Sequence, residues 1–144
     1  MIDHDLIIAY LQGKGIFRLV GSAADAAATM KPGATLGDGP NAYVVPLADN
    51  PRPPTVPGGP QSVISTFGVV IMVRSRGDAL GGATMATLTP LQQSLHGVLH
   101  GWQPAPQFGR LWLGGGRLVD FTANALWWME EFSSNYGVIP DIVT

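Results

Sequence analysis

The first apolar residues of the chain recur at three- and four-residue spacing, which is the periodicity of one face of an α-helix. These residues are Leu6, Ile7, Tyr10 and Leu11. Asp3 or Asp5 can cap the helix at its start, because a side-chain oxygen there accepts a hydrogen bond from a free backbone N–H group. Gly13 and Gly15 follow and predict its end. The pattern therefore predicts a short amphipathic helix.

The next hydrophobic runs are short and rich in β-branched and aromatic residues, which favours strands. Residues 16–20 form the first run and residues 41–47 the second, in which Pro46 indicates a strand end or a sheet edge. Between them, Ser22 and Asp25 have the spacing of a capping box, which predicts the start of an Ala-rich helix. We therefore expect a strand, a helix and a second strand in the first third of the chain.

Hydrophobic periodicity is absent from residues 48–61, where five Pro and two Gly predict a long exposed loop. Residues 62–74 then form the longest β-branched run, which is long enough for a central strand. A helical pattern follows, and Gly101 closes it. Its members are Met85, Leu88, Leu91, Leu95, Val98 or Leu99, and Trp102. Pro90 either kinks this helix or starts it, with Thr89 as the cap.

The last third of the chain predicts a β-hairpin that carries most of the tryptophans. Its strands are residues 110–121 and 125–135, and the three glycines at 114–116 indicate a bulge or bend in the first strand. Side chains alternate along a strand, so we expect Trp127 and Trp128 to point to opposite faces of the sheet. Because helices are expected on one face only, we expect another subunit to cover the second face.

The predicted order of elements is α-β-α-β-β-α-β-β. Consecutive strands joined by loops favour antiparallel pairing, since parallel pairs need long crossover connections. We therefore predict an α+β fold, with a mainly antiparallel sheet of about four to five strands flanked by helices. At 144 residues, the chain is expected to form one domain over 1–144, from which the Pro-rich loop at 48–61 projects.

The composition points to a covered surface. Charged residues make up 12% of the chain, against about 25% in an average soluble protein, whereas the hydrophobic fraction is 46%. So few charges favour a constitutive oligomer, because partners then cover much of the surface. The net charge is −2, with eight Lys and Arg scattered among ten Asp and Glu, so we do not expect tight nucleic-acid binding.

The same composition excludes several other classes of protein. The chain has no Cys, so disulfides and thiolate metal sites are excluded. The start of the chain lacks the basic residues of a signal peptide, and no apolar run approaches the roughly 18 residues of a membrane span. We therefore expect a soluble protein that is not exported.

The polar residues form no recognisable catalytic, cofactor or metal site. His96 and His100 have the spacing of a helical metal site, but the Glu and the third ligand of a zinc hydrolase are missing. We interpret both as surface histidines. Glu130 and Glu131 are neighbours on a strand, so their carboxylates face opposite ways, and we interpret them as solvated or interface charges. The glycines at 114–116 lack the Lys of a phosphate-binding loop. We predict no enzyme activity and no cofactor.

Five segments of the chain occur in a specific order and spacing. They are residues 43–47, 67–74, 101–105, 115–118 and 126–132, which read YVVPL, FGVVIMVR, GWQPA, GGRL and LWWMEEF. Together they resemble the small tail terminator proteins of long-tailed bacteriophages, and the resemblance covers most of the chain. It implies a structural virion protein that forms a ring, expected to be hexameric, on the head-proximal end of the tail tube. Such a ring ends tube polymerisation and presents a surface to head-completion or connector proteins.

The resemblance also implies assembly in the host cytoplasm and DNA that passes through the lumen without specific binding, which agrees with the lack of a basic run. A head–tail connector or stopper ring would share these features and stays open as an alternative. So does a monomeric module that accepts a peptide strand at a sheet edge. A small hydrolase that uses His96 or His100 with Asp78 or Asp120 is a further alternative.

A ring requires each subunit to offer two complementary patches, which agrees with the scarcity of charge. We expect the Pro-rich loop and the Trp-bearing hairpin to carry much of this contact, because prolines lower the entropy cost of fixing a loop. The candidate interface residues are Pro51, Arg52, Pro53, Pro54, Val56, Pro57, Arg117, Trp127, Trp128, Glu130 and Glu131. Deletion of residues 51–59 should therefore impair assembly without unfolding the monomer.

Overall fold

Helices and strands follow one another in the order α-β-α-β-β-α-β-β, as the sequence predicts. The computed structural model describes residues 1–75 and 81–139. The helices are α1 (His4–Lys14), α2 (Ala23–Thr29) and α3 (Gly82–Leu99). The strands are β1 (Leu19–Ser22), β2 (Asn41–Pro51), β3 (Gln61–Arg74), β4 (Trp112–Phe121) and β5 (Ala125–Val138).

Among the described residues, one five-stranded sheet in the order β1-β2-β3-β5-β4 organises the fold. β1 and β2 are parallel, and the other neighbouring strands are antiparallel. β3 lies at the centre, as predicted, and pairs with β5 from Gln61↔Val138 to Arg74↔Ala125. The predicted α+β class with a mainly antiparallel sheet is therefore confirmed.

The ends of the first two helices follow from the side chains beside them. Asp3 caps α1, because its side chain accepts a hydrogen bond from the backbone N–H of Asp5 at 3.0 Å. Gly15 ends α1 with a φ of 67°, a left-handed conformation that costs glycine little. Ser22 and Asp25 form the predicted capping box of α2. Hydrogen bonds from the backbone N–H and the hydroxyl of Ser22 lower the pKa of Asp25.

α3 continues through Pro90, which therefore lies inside the helix rather than at its start. Leu88, Leu95 and Leu99 are buried, as the apolar pattern predicts. Met85 belongs to the same pattern but is 42% exposed. The prediction fails at Met85 because Thr84, one residue earlier, takes the first position on the buried face.

Apolar side chains cover both faces of the sheet. The first face packs against α1 and α3, and its buried sheet residues are Val20, Ala42, Val44, Phe67, Val69, Ile71, Val73, Leu126 and Phe132. The second face packs against α2, and its buried sheet residues are Tyr43, Val70, Met72, Ala125, Trp127 and Met129. Burial of these side chains supplies the main driving force for folding.

Trp127 and Trp128 point to opposite faces, which confirms the predicted alternation. Trp127 is 3% exposed and packs near Tyr43, with the two ring centroids 6.1 Å apart. Trp128 is half-buried and packs against the first face. Side chains of the same chain, including Leu36, cover the second face around Trp127. The expectation that another subunit covers this tryptophan is therefore wrong.

The predicted loop at 48–61 is too long. β2 continues to Pro51, which pairs with Val63, and the N–H of Arg52 still donates to the carbonyl of Ser62 at 2.8 Å. The connection between the two strands is therefore confined to residues 52–60. Prolines fit this part of β2 because β1 stops at its pairing with Val44, and proline is tolerated on an edge strand.

Candidate assembly surface

β4 is exposed along its whole length. It is the last strand of the sheet, and all ten of its residues are exposed, five of them large and apolar. These are Trp112, Leu113, Leu118, Val119 and Phe121, with exposed fractions between 37% and 52%. The outer backbone of β4 pairs with no strand among residues 1–75 and 81–139. An exposed edge with this many apolar side chains is typical of an interaction surface.

Two irregularities interrupt the pairing of β4 with β5. The register shifts between Leu113 and Gly115, as the glycine run predicts, and again between Leu118 and Asp120. Bulges twist an edge strand and disrupt its hydrogen-bond ladder, so β4 is a poor template for simple strand addition. The exposed side chains of β4, rather than its backbone, are therefore the part of this edge that is suited to recognition.

Glu130 lies beneath β4 and is only 1% exposed. Its Oε1 accepts hydrogen bonds from Trp128 Nε1 at 2.8 Å and from the side-chain amide of Gln92. Its Oε2 lies 3.2 Å from His96 Nε2, which is an ion-pair distance without hydrogen-bond alignment. The interpretation of Glu130 as a solvated charge is therefore wrong, because three side chains take the place of water around its carboxylate.

His96 and His100 lie in different environments although they are one helical turn apart. His96 is half-buried against β5, with its ring 6.3 Å from the ring of Phe132, whereas His100 is exposed. The interpretation as surface histidines therefore holds for His100 only. In the part of the chain that the structure describes, no three His, Cys, Asp or Glu side chains come close enough to hold a metal ion.

Among the described residues, Asp120 does not pair with His96 as the hydrolase alternative requires. The carboxylate that reaches this imidazole belongs to Glu130, which is buried. Asp120 lies on exposed β4, where its side chain accepts a hydrogen bond from the N–H of Phe121 at 2.9 Å. Asp78 lies outside the described residues. The Glu130–His96 pair therefore connects α3 to β5 beneath β4.

Arg117 and Glu131 form an ion pair on the surface of the hairpin. Their Nη1 and Oε1 atoms are 3.1 Å apart, and the side chains are 63% and 28% exposed. Trp127 and Glu130, by contrast, are buried within the chain, and Trp128 packs on its core. Of the hairpin residues in the predicted interface, Arg117 and Glu131 are therefore the two that lie at the surface.

The Pro-rich tip, residues 51–57, lies at the end of the β2–β3 hairpin. Pro54 is half-buried and the other residues of the tip are exposed, Val56 by 58%. Six predicted interface residues belong to it, namely Pro51, Arg52, Pro53, Pro54, Val56 and Pro57. In the sheet, β5 separates this hairpin from β4. The predicted interface residues therefore occupy two separate places.

The sheet edge opposite β4 also exposes apolar side chains. Leu19 on β1 is 47% exposed, and Met30 after α2 and Leu47 in β2 are each 39% exposed. Neighbouring strands lie about 4.8 Å apart, so the two outermost strands of the five are roughly 19 Å apart. Sequence reasoning missed both edges, because a hydrophobic pattern does not distinguish an edge strand from a central one.

Asp49 links β2 to β5 through a side-chain hydrogen bond near the Pro-rich tip. Its Oδ2 accepts a hydrogen bond from the Tyr136 hydroxyl at 3.1 Å and lies 3.2 Å from the N-terminal ammonium group of Met1. Burial alone raises the pKa of Asp49, but hydrogen bonds from Ser65, the ammonium group and Tyr136 outweigh it and lower the pKa. Burial and the Asp49 carboxylate raise the pKa of Tyr136. These contacts hold in place the part of β2 from which the Pro-rich tip extends.

Comparison with protein families identifies a family that matches almost the whole chain. The sequence model of the family described as Phage tail terminator protein matches residues 1–140 of the chain. No curated protein matches it. None of the helices in the described part of the chain has the length and apolar character that a membrane span requires.

Proposed function

The chain belongs to the phage tail terminator family, whose members are structural proteins of the virion tail, and we propose that it forms a ring on the head-proximal end of the tail tube. In this proposal six subunits close the ring. The ring ends polymerisation of the tube and offers its other side to a head-completion or connector protein. It assembles in the host cytoplasm and remains part of the virion.

The exposed edge strand β4 is the observation that carries the ring proposal. Its five exposed apolar side chains are kept out of the core of their own chain by the position of β4 at the end of the sheet. Apolar surface that is left in water costs about 25 cal/mol per Å², so a second copy that covers it lowers the free energy. The low charge content of 12% supports the same conclusion.

The two apolar edges support a ring rather than a closed dimer. A ring needs two different patches on each subunit, because every contact joins one patch to the other. β4 supplies one patch, and the edge with Leu19, Met30 and Leu47 supplies the other. The two patches lie at opposite ends of one sheet. In the proposed ring, β4 of one copy packs against the β1 and β2 edge of the next.

Three arginines of the described chain support a lumen that does not bind DNA tightly, because each of them already has a polar partner. Arg117 pairs with Glu131 at 3.1 Å, and Arg18 pairs with Asp38 at 3.6 Å. Arg74 donates to the carbonyl of Leu36 at 3.0 Å. Counterion release from DNA requires several unpaired cations along one surface, and these arginines already have partners. DNA therefore passes through the proposed ring without specific binding.

The partners in this proposal are proteins, and no catalysis or cofactor is involved. The ring contacts other copies of itself along the sheet edges and the tail tube protein on one of its two sides. A tail tube presents repeated identical subunits, so a ring of matching symmetry makes many equal contacts with its end. The head-completion or connector protein then binds the opposite side.

A charge placed on β4 tests the ring proposal. Leu118→Glu puts a carboxylate in the middle of the exposed edge, where association would have to bury it. Gln93→Glu adds the same charge at an exposed position of α3 and serves as the control. In sedimentation velocity with tail tube protein, we expect rings with Gln93→Glu and monomers with Leu118→Glu. Equal ring formation by both variants would remove β4 from the interface.

A further inference from the structure

One row of paired residues crosses the whole sheet and ends at both of its edges. Each residue of this row is the direct pairing partner of the next one. The row consists of Leu19 (β1), Asn41 (β2), Met72 (β3), Trp127 (β5) and Asp120 (β4). Leu19 and Asp120 therefore lie at the same height on opposite edges of the sheet. These are the two edges that meet in the proposed ring.

Both ends of this row lie on the second face of the sheet. Directly paired residues share a face, and Met72 and Trp127 belong to the second face. Asp120 pairs with Trp127, so its side chain lies on that face too. Leu19 precedes Val20, which packs on the first face, and side chains alternate along a strand, so Leu19 points to the second face. A neighbouring copy that continues the row therefore places its Asp120 beside Leu19 on a common face.

Asp120 supplies a negative charge at one end of the row. It lies on β4, all of whose residues are exposed, and its Oδ1 accepts a hydrogen bond from the N–H of Phe121 at 2.9 Å. No cation among residues 1–75 and 81–139 forms an ion pair with it. The other charged residue of β4, Arg117, pairs with Glu131. Asp120 is therefore the charged group of β4 that has no oppositely charged partner in the described chain.

Arg18 supplies the opposite charge at the other end of the row. It directly precedes Leu19, and its side chain is 57% exposed. Its Nη1 lies 3.6 Å from Oδ2 of Asp38, which is a long ion-pair distance. A guanidinium has five N–H donors, so Arg18 can bind a second carboxylate while it keeps this contact. The carboxylate of nearby Asp25 is already bound by the backbone N–H of Ser22 at 2.8 Å. Arg18 therefore remains available for a carboxylate of a neighbouring copy.

A cleft beside Arg18 leaves room for a side chain of a neighbouring copy. It has a volume of about 490 Å³ and lies between α2 and the β1 edge. Arg18, Leu19 and Thr29 line it together with Tyr43, which belongs to the second face. The helix α2 therefore does not fill the space next to Arg18, and a side chain can approach the guanidinium from the second face.

We infer that Asp120 of one copy forms an ion pair with Arg18 of the next copy around the ring. This inference rests on the proposed ring and names the charged contact between its subunits. Each copy uses its carboxylate at one edge and its guanidinium at the other, as a head-to-tail ring requires. The pair sets the height at which the two edges meet, because complementary charges fix the register of an interface. Exposed Leu19 and Phe121 lie next to the two charges and exclude water from the pair, which strengthens it.

Charge reversal tests the inference. Arg18→Glu and Asp120→Arg each place like charges opposite one another, which opposes association, so we expect a roughly tenfold or greater loss of rings in sedimentation velocity with tail tube protein. The double variant R18E/D120R restores opposite charges and should form rings as the parent does. Equal amounts of the two single variants should also form rings, because six copies can alternate. The control Arg110→Glu makes the same charge change at an exposed position outside the strands and should leave ring formation unchanged.

The outcomes separate this inference from the ring itself. Rings from the double variant or from the mixture, together with their loss in the single variants, support the inference. Normal rings from both single variants overturn it, and so does the absence of rings from both the double variant and the mixture. If the parent forms no ring with or without tail tube protein, the proposed function fails as well.

Disulfide trapping gives a second test, which decides the matter if a charge-reversed variant does not fold. The chain contains no Cys of its own. In R18C/D120C the two thiols of one copy lie on opposite edges, roughly 19 Å apart, so a disulfide forms only between copies. Rings of this variant should become covalent oligomers under mild oxidation, whereas the control R18C/Q93C, with its second thiol on α3, should stay monomeric on a denaturing gel. Rings that oxidation links no faster than the control overturn the inference.

Discussion

Gly116 of β4 lies directly over the buried carboxylate of Glu130. A methyl group at position 116 would lie 3.0 Å from both carboxylate oxygens and from Trp128 Nε1. The exposed edge strand therefore rests on a buried polar network that extends through Gln92 and His96 to α3. This arrangement links the proposed assembly edge to the core of the subunit.

Gly116→Ala should destabilise the subunit, since the added methyl group crowds a site that is already filled. We expect a loss of about 1–3 kcal/mol in the free energy of unfolding, measured by urea denaturation. Gly114→Ala is the matched control, because a methyl group there would lie 3.5 Å from its nearest neighbour, an ordinary contact. Equal stability of the two variants would show that β4 moves away freely from Glu130.

Alanine substitutions of the adjacent residues Glu130 and Glu131 should lower the free energy of unfolding by very different amounts. Glu130→Ala leaves the side-chain donors of Gln92 and Trp128 without their shared acceptor and removes the carboxylate beside His96, and a buried donor left unpaired costs about 1–3 kcal/mol. Glu131→Ala breaks only an exposed ion pair with Arg117, which costs about 1 kcal/mol or less. The two free energies of unfolding, measured in the same denaturant series, check this. Similar losses would contradict the buried network.

Alanine substitutions of Trp127 and Trp112 should have different effects, the first on stability and the second on assembly. Trp127 is 3% exposed, so Trp127→Ala should cost about 3–5 kcal/mol of folding free energy. Trp112 is 39% exposed on β4, so Trp112→Ala should leave the melting temperature nearly unchanged and weaken association by roughly tenfold or more. Thermal melts and sedimentation equilibrium measure the two effects. Unchanged association of Trp112→Ala would speak against β4 as an interface.

Asp49 should stabilise the subunit at neutral pH and lose this effect in acid. Its pKa in the folded chain is lowered below the ordinary value, which is about 3.9 in an unfolded chain. The unfolded state therefore binds the proton first, and the stabilisation disappears as the pH falls through about 4 and below the folded-state pKa. Asp49→Asn should be less stable than the parent at pH 7, and the difference should shrink towards pH 3. A constant difference across this range in urea denaturation would refute the assignment.

Signals carried by neighbouring residues allowed much of the fold to be predicted. The capping box of Ser22 and Asp25 and the glycine after α1 each depend on residues that are close together in the sequence. Both are present as predicted. The hairpin of β4 and β5 and the opposite faces of Trp127 and Trp128 follow from the two-residue period of a strand. Local chemistry decides each of these features.

The features that depend on packing between distant elements could not be predicted. Glu130 looks like Glu131 in the sequence, and its burial depends on Gln92, which lies 38 residues earlier in the chain. β2 can extend through its prolines to Pro51 because β1 pairs with β2 only as far as Val44 and leaves the rest of the outer side of β2 unpaired. The exposed apolar residues of β4 likewise depend on its place at the end of the sheet. A one-dimensional pattern does not contain this order of strands.

The most direct measurement is native mass spectrometry of the purified chain at several concentrations, alone and with tail tube protein. The proposed function predicts a closed ring of six copies, which forms by itself or on the tube and which Leu118→Glu abolishes. A monomer that neither associates nor binds the tube under any of these conditions would contradict the central claim.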